Sequence, residues 1–201
     1  MEAFRRRLAS LSQRLQEPLV RFLARTGVTP NQVTLLGLLL SVVAAALAAQ
    51  GWFLWAGLTL AVGSALDMVD GVLARSTGKA SSQGALLDSV ADRLGEAAVL
   101  LGLLLYYVTQ QPERWWAPSL VGLALVNGFL VSYVRARAEG LGVTNKGGPM
   151  GGLMTRPERV VVLVVGLVLG WVEVALGVIA VLSLLTWVQR FLDALRALGR
   201  R

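Results

Sequence analysis

The chain has 201 residues, 55% of them hydrophobic and only 15% charged, with a mean hydropathy of +0.64 and a formal net charge of +7. That composition excludes an ordinary soluble domain and points to a single integral membrane domain. The absence of Cys and His excludes disulfides, Ser-His-Asp and Cys-His catalysis and His-ligated zinc. Proton transfer is left to Asp, Glu, Lys, Tyr or water.

Residues 1–26 carry Arg5, Arg6, Arg7, Arg14, Arg21 and Arg25, with Leu8, Leu11, Leu15, Leu19, Phe22 and Leu23 recurring at helical spacing. This pattern predicts an amphipathic helix lying in the cytoplasmic membrane interface. It lacks the short apolar core and small-residue cleavage site of a signal peptide, and its apolar stripe argues against a nucleic-acid arm. Apolar runs then follow at 33–49, from 52 into an acidic stretch, at 86–108, 116–134, 160–169 and 174–188. A bilayer crossing takes about 20 residues. The expectation is an all-α membrane fold, with six transmembrane helices over 30–198 in one domain spanning 1–201.

Charge sets the orientation. With six crossings both termini fall on one side, and 17 of the 19 Lys and Arg residues fall there too, Arg114 being on the other side. Positive residues favour the cytoplasmic face, so the termini and the acidic stretch are expected to face the cytoplasm of a plasma (inner) membrane. Trp52, Trp55, Trp115, Trp116 and Trp171 fall at the opposite helix ends, where an aromatic belt belongs.

The acidic stretch, "DMVDGVLARSTGKASSQGALLDSVADRLGE", holds Asp67, Asp70, Asp88, Asp92 and Glu96 between apolar runs. Asp67 and Asp70 are three apart; Asp88 and Asp92 are four apart and share a helix face. The short polar link between the two helices brings the acids towards one place. Close carboxylates repel and take up protons unless a cation neutralises them. Oxygen ligands without Cys or His select Mg²⁺, Mn²⁺ or Ca²⁺, and four carboxylates can hold two such ions for phosphoryl chemistry. The plain alternative is solvated charge at helix ends, but ionisable groups set among apolar spans are costly and usually functional. A divalent-cation transporter is the competing reading. Such a protein places its charges near mid-bilayer, whereas these lie at helix ends.

The spacing Asp67-x2-Asp70-Gly71-x2-Ala74-Arg75-x8-Gly84-x3-Asp88-x3-Asp92 resembles the full signature of the CDP-alcohol phosphotransferases. That family also has six membrane helices behind an interfacial helix. The resemblance implies transfer of a phosphate-linked group from a CDP-alcohol to an acceptor hydroxyl, with release of CMP. It implies Asp67, Asp70, Asp88 and Asp92 at two Mg²⁺ (or Mn²⁺) ions, with Asp92 also the general base. Asp70, Gly71, Ala74, Arg75 and Gly84 would bind CDP, as would Pro30, Asn31 and Thr34 in "TPNQVT". That last segment reads equally well as a helix start headed by Pro.

The acceptor is sought among the other basic residues. Arg135 and Arg137 close the fourth span, Arg156 and Arg159 open the fifth, and Arg190 closes the sixth. The plain account is the positive-inside bias; as a group, arginines at three helix mouths suit a phosphate-bearing acceptor. The segments "SYVRARAEG" and "RPER" resemble the bacterial phosphatidylinositol-phosphate synthases. This implies CDP-diacylglycerol as donor and inositol phosphate as acceptor, held by Ser132, Arg135, Arg156 and Arg190. Glycerol 3-phosphate or phosphatidylglycerol is the alternative acceptor, and the lipid tail is left open between diacylglycerol and an archaeal ether lipid. The glycine-rich link 140–155 reads either as a lid or as a plain loop. Gly166 and Gly170 suggest close packing and a homodimer. Glu96 is expected either to support the site or to pair with Arg93 or Arg75.

Overall fold

The computed structural model describes residues 27–143 and 152–200. The helix expected over 1–26 and the central part of the glycine-rich link, Lys146 included, lie outside the described residues. The described residues form six α-helices and no strand: α1 Pro30–Ala49, α2 Phe53–Ser76, α3 Ser82–Gln110, α4 Ala117–Gly140, α5 Arg156–Leu169 and α6 Val172–Leu198.

Each helix extends beyond the apolar run that announces it, because hydropathy stops where the polar turns begin but the backbone does not. Four helices, α1, α2, α4 and α6, are long and apolar enough to cross a membrane. The other two fall short for different reasons: α3 carries Asp88, Asp92, Arg93 and Glu96 in its first half, and α5 has only 14 residues. The outward faces are apolar on α1 (Leu35, Leu36, Leu39), α3 (Leu101, Leu105), α4 (Leu123, Val126, Phe129) and α6 (Val174, Val181, Leu185). Water would penalise such surfaces, and lipid does not.

Local chemistry explains the helix ends. Thr29 and Gln32 close reciprocal bonds at the head of α1: the Thr29 N–H donates to Gln32 Oε1 at 2.9 Å, and the Gln32 N–H to Thr29 Oγ1 at 3.4 Å. This is a capping box with Pro30 in the first turn. Past the end of α2 at Ser76, Gly78 with a φ of +68° lets the Lys79 N–H reach back to the Ala74 carbonyl at 3.0 Å. Ser81 then caps α3, its Oγ accepting from the Gly84 N–H at 3.0 Å. α5 opens on Thr155, whose N–H donates to Glu158 Oε2 at 3.0 Å, and closes on Gly170 at φ +72°.

The chain divides into two compact units. The first, within Met1–Leu40 and Val62–Gly95, has a small core of Val33, Val69 and Leu73. The second, within Ser41–Ala61 and Glu96–Arg201, has the large core, with Val99, Leu100, Leu103, Tyr107, Val121, Leu167, Leu176 and Ile179 at its centre. Small residues set the helix spacing in it, since a Cβ at Gly102 would overlap the Ala45 backbone. Polar bonds tie α4 to α6: the Asn127 amide donates to the Ala180 carbonyl at 3.1 Å and accepts from Trp187 Nε1 at 3.0 Å. Gly166 is used inside the chain, where a Cβ would overlap Ala175 of α6, and Gly170 serves as the α5 cap. Gly170 itself is exposed, with open space around it.

Candidate active site

Within the first unit, α1, α2, the 77–81 link and α3 enclose a cavity of about 200 Å³. Pro30, Asn31, Thr34, Asp70, Gly71, Ala74, Arg75 and Gly84 all line it, together with Asp88. The link geometry brings them there. The Gly78 turn and the Ser81 cap reverse the chain within a few residues, so the signature's two halves face each other. Glycines keep the walls thin. A Cβ on Gly84 would lie 3.3 Å from Asn31 Oδ1, and one on Gly71 would lie 3.5 Å from Arg75 Nη1. The Arg75 guanidinium therefore rests over bare backbone at the rim. Lys79, Ala80, Ser81 and Ala85 also line the cavity. Sequence reasoning passed over them as link residues, although a Lys held by the α2 cap is itself a signal.

The carboxylates are placed less simply than expected. Asp70 is only 4% exposed and accepts a 2.5 Å hydrogen bond on Oδ2 from the Thr34 hydroxyl. Asp88 and Asp67 both act on it by charge repulsion. Asp67 and Asp92 do not line the cavity. The Asp67 carboxylate packs against α1 at Gly37, where a Cβ would overlap it. Asp92 Oδ2 lies 3.9 Å from Arg93 Nη2. Consequently no group of three or more acidic side chains among the described residues is gathered closely enough to hold an ion as it stands. Of the four carboxylates expected at the metals, Asp67 rests against Gly37, Asp70 meets Thr34 and shares the cavity lining with Asp88, and Asp92 lies beside Arg93. The donor chemistry still fits a hard divalent cation, being all oxygen, acidic and, at Asp70, buried. Gly37, which makes room for Asp67, was not singled out from the sequence, where it reads as one more small residue in an apolar run.

In the second unit the arginines divide by role. Arg190 is 3% exposed and donates from Nη1 to the Val131 carbonyl at 2.8 Å. Arg135 and Arg159 lie near enough for their charges to act on it. Arg135 is exposed and bonds Glu139 at 2.9 Å one turn along α4. Ser132, the residue after Val131, and Arg156, at the head of α5, are both half-buried. Arg159 departs from the expected group. It is buried to 1% exposure and forks onto Glu96, its Nε bonding Oε1 at 2.5 Å and its Nη2 bonding Oε2 at 2.8 Å. Glu96 thus has a partner 63 residues on, one not singled out from the sequence, where it was expected either to support the site or to pair with Arg93 or Arg75.

An all-helical chain whose spans carry this acidic signature, six of its eight positions lining one cavity, is consistent with the membrane transferases that the signature resembles. The chain belongs to the CDP-alcohol phosphatidyltransferase family, whose profile matches residues 27–190. It is therefore a transferase, and the transporter reading is set aside. It is 36% identical over 198 residues to the archaetidylinositol phosphate synthase of Pyrococcus horikoshii, covering 95% of this chain and 98% of the relative. The crystal structure of Mycobacterium tuberculosis phosphatidylinositol phosphate synthase with CDP-DAG bound superposes with a TM-score of 0.80 at 31% identity, over 90% of this chain and 94% of that one. The same enzyme in complex with manganese and citrate also gives 0.80 at 31% identity, over 89% of this chain and 88% of that one.

Proposed function

We propose that the chain transfers the phosphatidyl group of CDP-diacylglycerol to the hydroxyl of inositol 1-phosphate, giving phosphatidylinositol phosphate and CMP. The observation that carries this reading is the cavity that brings Asp70, Gly71, Ala74, Arg75, Gly84 and Asp88 of the signature together with Pro30, Asn31 and Thr34 of α1. The names of the relatives support the acceptor, since the archaeal and the mycobacterial synthase both make an inositol phosphate lipid.

In this reading the cavity binds the CDP end of the donor. Asn31 and the bare backbone at Gly71 and Gly84 admit the nucleotide, and Arg75 at the rim meets its phosphates. Thr34 fixes the plane of the Asp70 carboxylate. Asp67, Asp70, Asp88 and Asp92 would hold two Mg²⁺ or Mn²⁺ ions, which supply neutralisation of the pyrophosphate charge when bound. Asp92 takes the proton of the acceptor hydroxyl. The freed oxygen forms a bond to the lipid-side phosphorus while the bond from that phosphorus to CMP breaks in line. Ser132, Arg135, Arg156 and Arg190 hold the acceptor's own phosphate.

The proposed topology is six crossings, with the interfacial helix, both termini and the site on the cytoplasmic face of the plasma membrane. The lopsided distribution of Lys and Arg supports it. Because the chain has no Cys, single cysteines introduced at Lys79 and Arg114 can be probed with an impermeant thiol reagent. Labelling of the first from outside intact cells would overturn the topology.

The chemistry is tested with purified protein, CDP-diacylglycerol, Mg²⁺ and a panel of inositol 1-phosphate, glycerol 3-phosphate and phosphatidylglycerol, with products read by mass. Lipid product with inositol phosphate, lost in Asp92→Asn, is expected. Product with glycerol 3-phosphate alone would transfer the assignment to that acceptor, and full activity of Asp92→Asn would remove Asp92 as base.

A further inference from the structure

We propose that Glu96 and Arg159 are positioning residues for the acceptor's phosphate: their buried fork sets the start of α5, and with it Arg156, against Arg190. The inference rests on the acceptor site proposed above, and every residue in it belongs to the second unit.

Arg159 is not available to an anion. Its Nε and Nη2 are both on Glu96, its Nη1 faces the Met154 carbonyl at 3.4 Å, and the side chain is 1% exposed. What it holds is the segment that leads into α5. Met154 receives Arg159 on its carbonyl and donates its N–H to Thr186 Oγ1 of α6 at 3.0 Å. Gly152, two residues earlier, packs so closely on α6 that a Cβ would overlap Thr186 Cγ2 and lie 3.5 Å from Arg190 Nε and Nη2. Arg190 in turn is anchored to the Val131 carbonyl, next to Ser132. A continuous set of bonds and contacts thus runs from Glu96 to the residues assigned to the acceptor.

The fork is also fitted to its site by a third helix. A Cβ on Gly128 of α4 would come within 3.2 Å of both Arg159 Nε and Glu96 Oε1. A side chain there would press on both partners, and the fork would have to shift by a few tenths of an ångström to admit it. A pair like this adds direction more than net stability, because well-packed apolar residues replace buried ion pairs without loss in many proteins. That property separates positioning from plain support.

The experiment uses the full chain with CDP-diacylglycerol and Mg²⁺, measuring KM for each substrate, kcat, and unfolding by tryptophan fluorescence. For Glu96→Gln and Gly128→Ala, the KM for inositol phosphate is expected to rise about tenfold or more, with the donor's KM within twofold of wild type. In the double variant Glu96→Met, Arg159→Met, the unfolding temperature returns towards wild type while the acceptor KM stays high. An unchanged acceptor KM in the single variants, or a double variant that recovers both properties, would overturn the proposal. If the single variants do not fold, the double variant decides alone by its acceptor KM. A wild type inactive on inositol phosphate but active on glycerol 3-phosphate would refute the acceptor assignment only, and the same split is then read with that substrate. A wild type that uses only a phosphate-free acceptor would overturn both.

Discussion

Removing the Thr34 hydroxyl tests the donor site at its best-defined bond. Thr34→Val keeps the side chain's volume and takes away the donor that meets Asp70 Oδ2 at 2.5 Å. Asp70 is 4% exposed, so water replaces that donor poorly. A hydrogen bond to a charged group is worth about 1.5–3 kcal/mol. At ~1.36 kcal/mol per tenfold, full expression of the loss in the reaction predicts a fall in kcat/KM for CDP-diacylglycerol of about tenfold to about 150-fold. Thr34→Ser retains the hydroxyl and is expected to remain within a few-fold of wild type. The assay is CMP release by purified protein at saturating acceptor, with tryptophan fluorescence confirming that each variant is folded at the assay temperature. A folded Thr34→Val enzyme within twofold of wild type would refute the role given to this bond. A Thr34→Ser enzyme as slow as Thr34→Val would show that retaining the hydroxyl is not enough and that this bond alone does not set the rate.

Gly37→Ala places a methyl where the Asp67 carboxylate lies; activity is expected to fall more than tenfold with little change in far-UV circular dichroism, and a fully active variant would show that Asp67 can rest elsewhere. Chelation with excess EDTA is expected to abolish product formation, and added Mg²⁺ or Mn²⁺ to restore it; activity that survives exhaustive chelation would remove the metal role from the Asp set. Arg159→Met alone leaves Glu96 without its buried fork, a loss of about 3–5 kcal/mol, read as a large drop in the unfolding temperature. Gly166→Val drives a branched side chain into Ala175; at about 1–3 kcal/mol for overpacking, thermal unfolding in detergent should show a clear drop, and none is expected for the same change at Gly122, which has open space around it.

Much of this architecture was legible from residue order because lipid imposes a simple rule: long apolar runs become helices. The runs understate the helices at their polar ends: Asp67–Arg75 and Arg135–Glu139 add nothing to a hydropathy signal, and it is their residue spacing that places them on helices, as the structure has them. The cavity lining was legible as well, since the signature's fixed spacing and a capped link allow few arrangements. The carboxylate rotamers were not. Spacing places Asp67 and Asp70 on neighbouring positions of one helix, but whether a side chain turns to Gly37 or to Thr34 depends on another helix. The partner of Glu96 escaped for the same reason, lying on a helix far along the chain. Arg159 was grouped with the phosphate candidates because charge counts see only sign; its burial, and Gly128 beneath it, belong to packing.

The shortness of α5 has a consequence for the bilayer itself. Its 14 residues rise roughly 21 Å at about 1.5 Å per residue, against a hydrocarbon slab roughly 30 Å thick. In the six-crossing topology proposed above, with Gly170 and Trp171 ending the helix on one side, the hydrophobic mismatch of several ångströms would collect beneath Thr155, Arg156 and Glu158. Polar backbone at that depth cannot face acyl chains; the leaflet must dip, or solvent must reach down to meet it, at a modest cost per ångström. In that topology the membrane would be indented at the arginine-bearing mouth. The charged, water-soluble acceptor proposed above would then meet its lipid co-substrate at the floor of a wet depression, without itself entering oil.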